Sequence, residues 1–355
     1  MMLVRSIKQK LQSKGFDLCH PINTAWYNKM IQDEGLIDSG ALKVLPEPSP
    51  SLSNENVHCD GGDDERCVQS CYNAVLIGNT KTIWPSFLDW LEVRAAKRVN
   101  PQNPFDSFCE ETLSKSLQEL CCENDGRGKV SSYELFWSNG KREKFSMNDE
   151  AHHDDTTNST NTKQSYHCFE NNDDSFLVSM QRIASASGEY WHDEENTKLC
   201  VHPVYGTWTA FRALVVFETE QSQMKSSSNS TTIPPPQCPC PLSQEEMKEA
   251  KRVFDYALEM NTSGQGNNAG SYGTQANKTW DELCKYLHSQ VCTGSSWDAV
   301  PESMKPWIEL RNVIRVGRSD WKYDEPQLLY HYTKDPEILS IELGKRGNRI
   351  HHIDA

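Results

Sequence analysis

The sequence has no apolar run near the ~18 residues that a membrane-spanning helix requires. Its amino terminus, MMLVRSIKQKLQSKGF, lacks the apolar centre of a secretory leader, so the expected location is the cytoplasm. Blocks of basic residues are missing as well. Lysine and arginine number 36 against 50 acidic residues, a net charge of −14. Nucleic acids and anionic membranes are held by basic faces, so neither is expected as a partner. The 13 cysteines are an odd number, which argues against a complete disulfide framework in a reducing compartment. There is no P-loop, no G-x-G-x-x-G behind a strand, no G-x-S-x-G and no H-E-x-x-H. No Ser-His-Asp or Cys-His arrangement follows from spacing. Cys284, His288 and Cys292 share a helical face, but three ligands fall short of a structural zinc set, and no metal bound by protein side chains is expected.

What is present reads as one α+β domain over residues 1–340, followed by a polar tail, 341–355. Four stretches, 45–66, 141–174, 221–241 and 261–278, hold too little apolar surface to offset ordering entropy and are read as flexible insertions. Asn73–Gly78 and Ser132–Trp137 are strands. Pro85 suits the first turn of a helix that carries Phe87, Leu88, Leu91 and Ala95 on one face. Ser175–Trp191 reads as a second helix, with Phe176, Leu177, Met180, Ile183, Ala184, Ser187 and Tyr190 on one side. Next comes a hairpin in which KLCVHP turns through Gly206 into TWTAFRALVVFE. Capping boxes at Ser243/Glu246 and Thr279/Glu282 open two later helices.

Two features stand out. Arg212 sits in the middle of an apolar strand, and a buried guanidinium needs either an acidic partner in the fold or an anionic ligand. Strand alternation puts it on one face with Trp208, Ala210 and Leu214, and puts Thr209, Phe211 and Ala213 on the other. The second feature is the small-residue run Ala184–Gly188. It admits a close neighbour, either another element of the fold or a large flat ligand on which Tyr190 and Trp191 could stack. Cys238-Pro-Cys240 is read as part of a solvated linker.

Four blocks carry a family resemblance: GFDLCHPINTAWYN (15–28), LIGNTKTIWPSFLDWL with NPFDSFCEETL, CVHPVYGTWTAFRALVVF (200–217) and SDWKYDEPQLLYHYTKDP (319–336). Together they resemble the cytosolic cobalamin-processing proteins of the CblC type, the cyanocobalamin reductases and alkylcobalamin dealkylases. The resemblance implies a flavin-reductase-like, nitroreductase-related mixed sheet flanked by helices. It implies base-off binding of cobalamin as substrate, decyanation by reduced flavin (FAD or FMN) fed from NADPH through a reductase, and dealkylation by glutathione. Proteins further along cobalamin trafficking are the implied partners. Carried over by position, the cobalamin-lining residues are Phe176, Leu177, Val178, Ser179, Tyr190, Trp191, His192, Cys200 and Phe211, and the glutathione-binding residue is Arg212. There are departures. Ile183 and Ala186 stand where the family has His-x-x-Gly, and Asp324 and Ile338 stand where it has further arginines, for which Arg315 or Arg318 are candidate substitutes. Two other readings remain open at this point: a cobalamin chaperone without turnover, and a flavin nitroreductase-like enzyme that does not act on cobalamin.

Overall fold

The computed structural model describes residues 2–47, 72–97, 103–123, 130–146, 168–170, 177–219, 235–263 and 297–351. Phe176, the second capping box and the Cys284/His288/Cys292 face lie outside them. The chain begins with α1 (Met2–Gln12), β1 (Leu18–Ile22) and α2 (Thr24–Asp33). It continues through β2 (Ala74–Asn79), α3 (Ile83–Ala96), α4 (Pro104–Glu123), β3 (Val130–Trp137), β4 (Arg142–Ser146) and β5 (Cys168–Glu170). Next come α5 (Met180–Ala186), β6 (Trp191–His192), β7 (Cys200–Val201) and β8 (Ala210–Thr219). The carboxy-terminal part is helical: α6 (Gln244–Ser263), α7 (Lys305–Val313), α8 (Arg318–Trp321), α9 (Glu325–Thr333) and α10 (Pro336–His351).

Six strands form one sheet in the order β1-β2-β8-β3-β4-β5, and every neighbouring pair is antiparallel. The expectation of a mixed sheet is therefore corrected. So is the hairpin: β8 is central and pairs with β2 and β3, while β7 pairs with β6. Of the expected hairpin only its tip forms, as the bridge His202–Gly206, with Gly206 at φ 60°. The local turn signal was right, but long-range pairing of an apolar strand won over extension of the hairpin.

Alternation along the strands divides the core. Val75, Ile77, Leu135, Trp137, Ala213 and Val215 face a layer of α1, α3, α4, α9 and α10. Ala74, Leu76, Phe136, Leu214 and Val216 face α2 and α5. A third cluster joins β7 to α6 and α7 through Val201, Ala250, Val253, Leu310 and Ile314.

Several insertion boundaries move. Leu45 is buried and exchanges two hydrogen bonds with the Asn28 side chain, both at 2.8 Å, so it belongs to the core and not to a flexible insertion. The 141–174 stretch holds β4 and β5; their polar alternation fits an outer strand pair, whose side chains need little apolar surface. Residues 261–263 extend α6, residues 235–241 pack onto the fold, and residues 341–351 continue α10. The Ser243/Glu246 capping box forms: Glu246 N–H donates to Ser243 Oγ at 3.2 Å, and Ser243 N–H donates to Glu246 Oε2 at 3.0 Å.

Candidate functional site

Residue positions around the site are set by three local devices. In the block around Trp26, Asn23 caps α2 by accepting the Ala25 N–H, and Tyr27 is fully buried. The Tyr27 hydroxyl accepts the Ser179 N–H at 3.3 Å, which ties this block to the start of α5. Ser179 itself caps α5 by accepting the Arg182 N–H. That helix is only seven residues long. Leu177–Ser179 precede it in extended chain, and Gly188 at φ 76° ends the segment before Tyr190, so the longer helix expected over 175–191 is corrected. Ile183 and Ala186, at the family's His-x-x-Gly places, are buried in α5.

The third device is a β-bulge. Ile77 pairs with Ala213 but Gly78 pairs with Phe211, which leaves Arg212 as an extra residue in β8. A Cβ at Gly78 would stand 2.8 Å from the Ala210 carbonyl oxygen, so the bulge needs a glycine opposite it. Because of the bulge the simple alternation fails. Phe211 packs with Tyr190 on the α2/α5 side, ring centroids 5.1 Å apart, and Leu214 lies on that side too. Arg212 turns to the other side, with Trp208 and Ala213, where its guanidinium lies 4.7 Å from the centre of the Phe105 ring. The faces expected from alternation are therefore wrong for Leu214 and for Phe211 with Ala213.

Around Tyr190 the structure assembles an aromatic group. His20 stands edge-on at 5.4 Å, His202 at 5.0 Å and Phe211 at 5.1 Å. Tyr205 extends the group from His202 (4.4 Å) to Trp321 (4.6 Å). His202 Nδ1 accepts the N–H groups of Val204 and Tyr205, so the neutral ring carries its proton on Nε2. His20 Nε2 is buried with no hydrogen-bond partner. Burial, then the neighbouring His202, lowers the His20 pKa to about 3, and burial lowers that of His202 to about 4. His192 is lowered to about 4, by burial first and then by Arg182. Residue-by-residue reading gave His20, His202 and Tyr205 no role. The available signal was the His-Pro dipeptide shared by the first and third blocks.

Of the other expected lining residues, Leu177 is exposed, Val178 is buried, and Trp191 and Cys200 are half-buried. The thiols nearby are poor nucleophiles. Burial pushes Cys19 and Cys109 up to about 12 and raises Cys200 and Cys238 as well. Among the described residues no three histidine, cysteine or acidic side chains are placed to hold a metal ion.

Arg212 occupies a narrow pocket with Trp84, Phe105, Tyr323, Gln327, Tyr330, His331 and Lys334. Its Nε donates to Asn79 Oδ1 at 2.6 Å, and no carboxylate of the described residues pairs with it. Arg311 is half-buried like Arg212, lying over Trp208 at 4.4 Å and Tyr323 at 4.9 Å and donating to the Thr207 carbonyl at 2.6 Å. Arg315 and Arg318 do not join Arg212. They line an open cleft of about 470 Å³ with Glu245, Glu246, Glu249 and Glu309. Asp324 stands at the N-cap position of α9 without a side-chain capping hydrogen bond, and Ile338 is buried in α10.

The fold and this aromatic site define an α+β protein with a helix-covered antiparallel sheet, in which the thiols of Cys19, Cys109 and Cys200 are held neutral. No protein-family model matches the chain. A curated protein of Danio rerio, cyanocobalamin reductase / alkylcobalamin dealkylase, is 23% identical over 221 residues, which are 62% of this chain and 66% of that protein. The match thus spans just under two thirds of the relative's length. A solved structure of a C. elegans B12-trafficking protein, CblC, described as a homologue of human MMACHC, aligns with a TM-score of 0.40 and 16% identity over 88% of this chain and 96% of the other. The resemblance to CblC-type proteins read in the sequence is borne out by the curated relative. No helix among the described residues is long and apolar enough to cross a membrane.

Proposed function

We propose that this chain binds cobalamin base-off in the cytoplasm and removes its upper axial ligand before passing it to downstream trafficking proteins. The observation that carries this reading is the match to a relative named for both cyanide elimination and dealkylation. In decyanation the electrons come from reduced flavin, FAD or FMN, supplied by NADPH through a reductase, and cyanide leaves the cobalt. In dealkylation a glutathione thiolate attacks the cobalt-bound carbon. The new bond is carbon–sulfur, the cobalt–carbon electron pair stays on the metal, and Co(III) becomes Co(I). An external thiolate fits the surroundings of Cys19, Cys109, Cys200 and Cys238, which are all pushed towards the neutral thiol. Arg212 supplies a fork for a glutathione carboxylate, since no acidic side chain of the described residues occupies it. Phe211, half-buried, offers aromatic surface to the corrin with the fully buried Tyr190 ring behind it, and the Tyr27–Ser179 hydrogen bond fixes the chain entering α5.

Titration with cyanocobalamin tests the reading: the absorption bands move to shorter wavelength if the base is released, and an unchanged spectrum at saturating protein overturns it. NADPH, flavin and a reductase then release cyanide, and glutathione converts methylcobalamin. One observation favours a chaperone without turnover. Asp324 and Ile338 replace family arginines, and Arg315 and Arg318 lie in a different cleft from Arg212. Binding with no loss of cyanide or alkyl group would establish that alternative. Protein that carries flavin but leaves the corrin spectrum unmoved would identify the nitroreductase-like enzyme instead.

A further inference from the structure

The small-residue run Ala184–Gly188 has a neighbour in the ligand-free chain. Pro236 lies against Gly188 so closely that a Cβ at Gly188 would stand 2.6 Å and 2.8 Å from Pro236 ring carbons. Pro236 belongs to the stretch Pro235–Pro241, which holds four prolines and no regular secondary structure. Prolines at this density make a segment stiff and extended. No hydrogen bond among the described residues ties 235–241 to α5, β6 or β7 beneath it. The bonds it makes are internal or reach only the start of α6: Cys238 Sγ to the Pro239 carbonyl, and Cys240 Sγ to Leu242 and Met247. Its carboxy-terminal end is fixed. Leu242 packs against the cluster of Val201, Ala250, Val253, Leu310 and Ile314, and the Ser243/Glu246 capping box is locked further where Glu246 accepts the Arg315 N–H at 2.9 Å. A stiff rod is thus pinned at one end and rests by packing alone on the other. Cys200 lies nearby, and Cys238 comes near enough to it to add to the upward push on that thiol.

We propose that residues 235–241 are a strap that covers part of the corrin-binding face in the ligand-free protein and swings aside about Ser243 when cobalamin binds. The proposal rests on the corrin-binding reading above. Binding to a site that is open only part of the time is weakened by the open fraction, so loosening the closed contact raises that fraction and speeds association. The test uses the full chain and cyanocobalamin. In stopped-flow mixing, Pro236→Gly associates faster than wild type by about threefold or more, and Pro236→Ala, which keeps the backbone less mobile, gives a smaller gain in the same direction. Alkylation by iodoacetamide, read by mass spectrometry, supplies an independent measure: bound corrin raises the labelling rate of Cys238 relative to Cys240. Slower association in both variants, or association and Cys238 labelling that do not change in a protein that binds corrin, overturns the strap. A wild-type spectrum that never shifts removes the corrin reading itself, and the strap with it. Melting curves identify a variant that has lost its fold, and in that case the labelling of the wild-type protein decides.

Discussion

A single guanidinium shows how far one side chain can be read. Arg212 is conspicuous in the sequence because everything around it is apolar, and the structure leaves it with an amide, an aromatic ring and no described carboxylate. On the proposed reading, replacing it by glutamine is expected to remove a charge-assisted contact to a glutathione carboxylate and to cost about 1.5–3 kcal/mol, or roughly tenfold or more in glutathione-dependent dealkylation. Decyanation does not use that contact and falls less. Paired rates with a melting curve check this: equal losses accompanied by a lower melting temperature would make Arg212 a structural residue. Cys200 gives the converse case. It is an expected lining residue with a thiol held neutral, so Cys200→Ser keeps dealkylation within about threefold. A collapse of dealkylation with decyanation intact would show that the protein's own sulfur is the nucleophile. The partners of these residues were not legible, because Asn79 and Phe105 reach Arg212 through tertiary pairing and not through spacing.

At the scale of elements, the strands with continuous apolar runs were readable and the polar ones were not. β2, β3 and β8 lie in the middle of the sheet, buried on both faces, and their composition says so. β4, Arg142–Ser146, has the composition of a loop and becomes a strand because Glu134 on β3 offers a carboxylate to Arg142, at 2.7 Å, and to Lys144, at 3.4 Å. The bulge in β8 was out of reach for a similar reason, since it is written in β2, at Gly78. Adding a methyl group there presses on the Ala210 carbonyl. Gly78→Ala is therefore expected to destabilise the fold by about 1–3 kcal/mol and to lower the melting temperature, whereas Gly344→Ala, in α10 where a Cβ would meet nothing within 4 Å, costs nothing. Equal melting temperatures for the two variants would mean that the bulge relaxes freely.

For the whole molecule, protons report on folding. His202 is buried, His20, His192 and His331 are half-buried, and all four have lowered pKa values, with desolvation the leading cause in each. In the unfolded chain histidine titrates near ~6.5. Above that pH both states are neutral and the full stability is present. As the pH falls below it, the unfolded chain takes up protons that the native state refuses until about 4 for His192 and His202 and about 3 for His20, so stability declines across that window. Melting temperatures measured from pH 7.5 to 5 should fall, chiefly below about 6.5, before most carboxylates begin to titrate. A His20→Gln, His202→Gln double variant should show a shallower slope. A slope unchanged from wild type would mean that these rings are solvated in solution.

The bulge also constrains where a ligand can lie. Phe211 and Arg212 are adjacent in the chain but look out from opposite sides of one sheet, one residue beyond its first rung at Ala210 and Asn79. A molecule resting on either side alone meets only one of them. Contact with both is open to a molecule that hangs over the rim of the sheet, like a saddlebag, with its bulk on the Tyr190 side and its acidic end on the Phe105 side. Corrin and peptide thiol would then enter from separate sides of the sheet, and neither would have to leave for the other to enter.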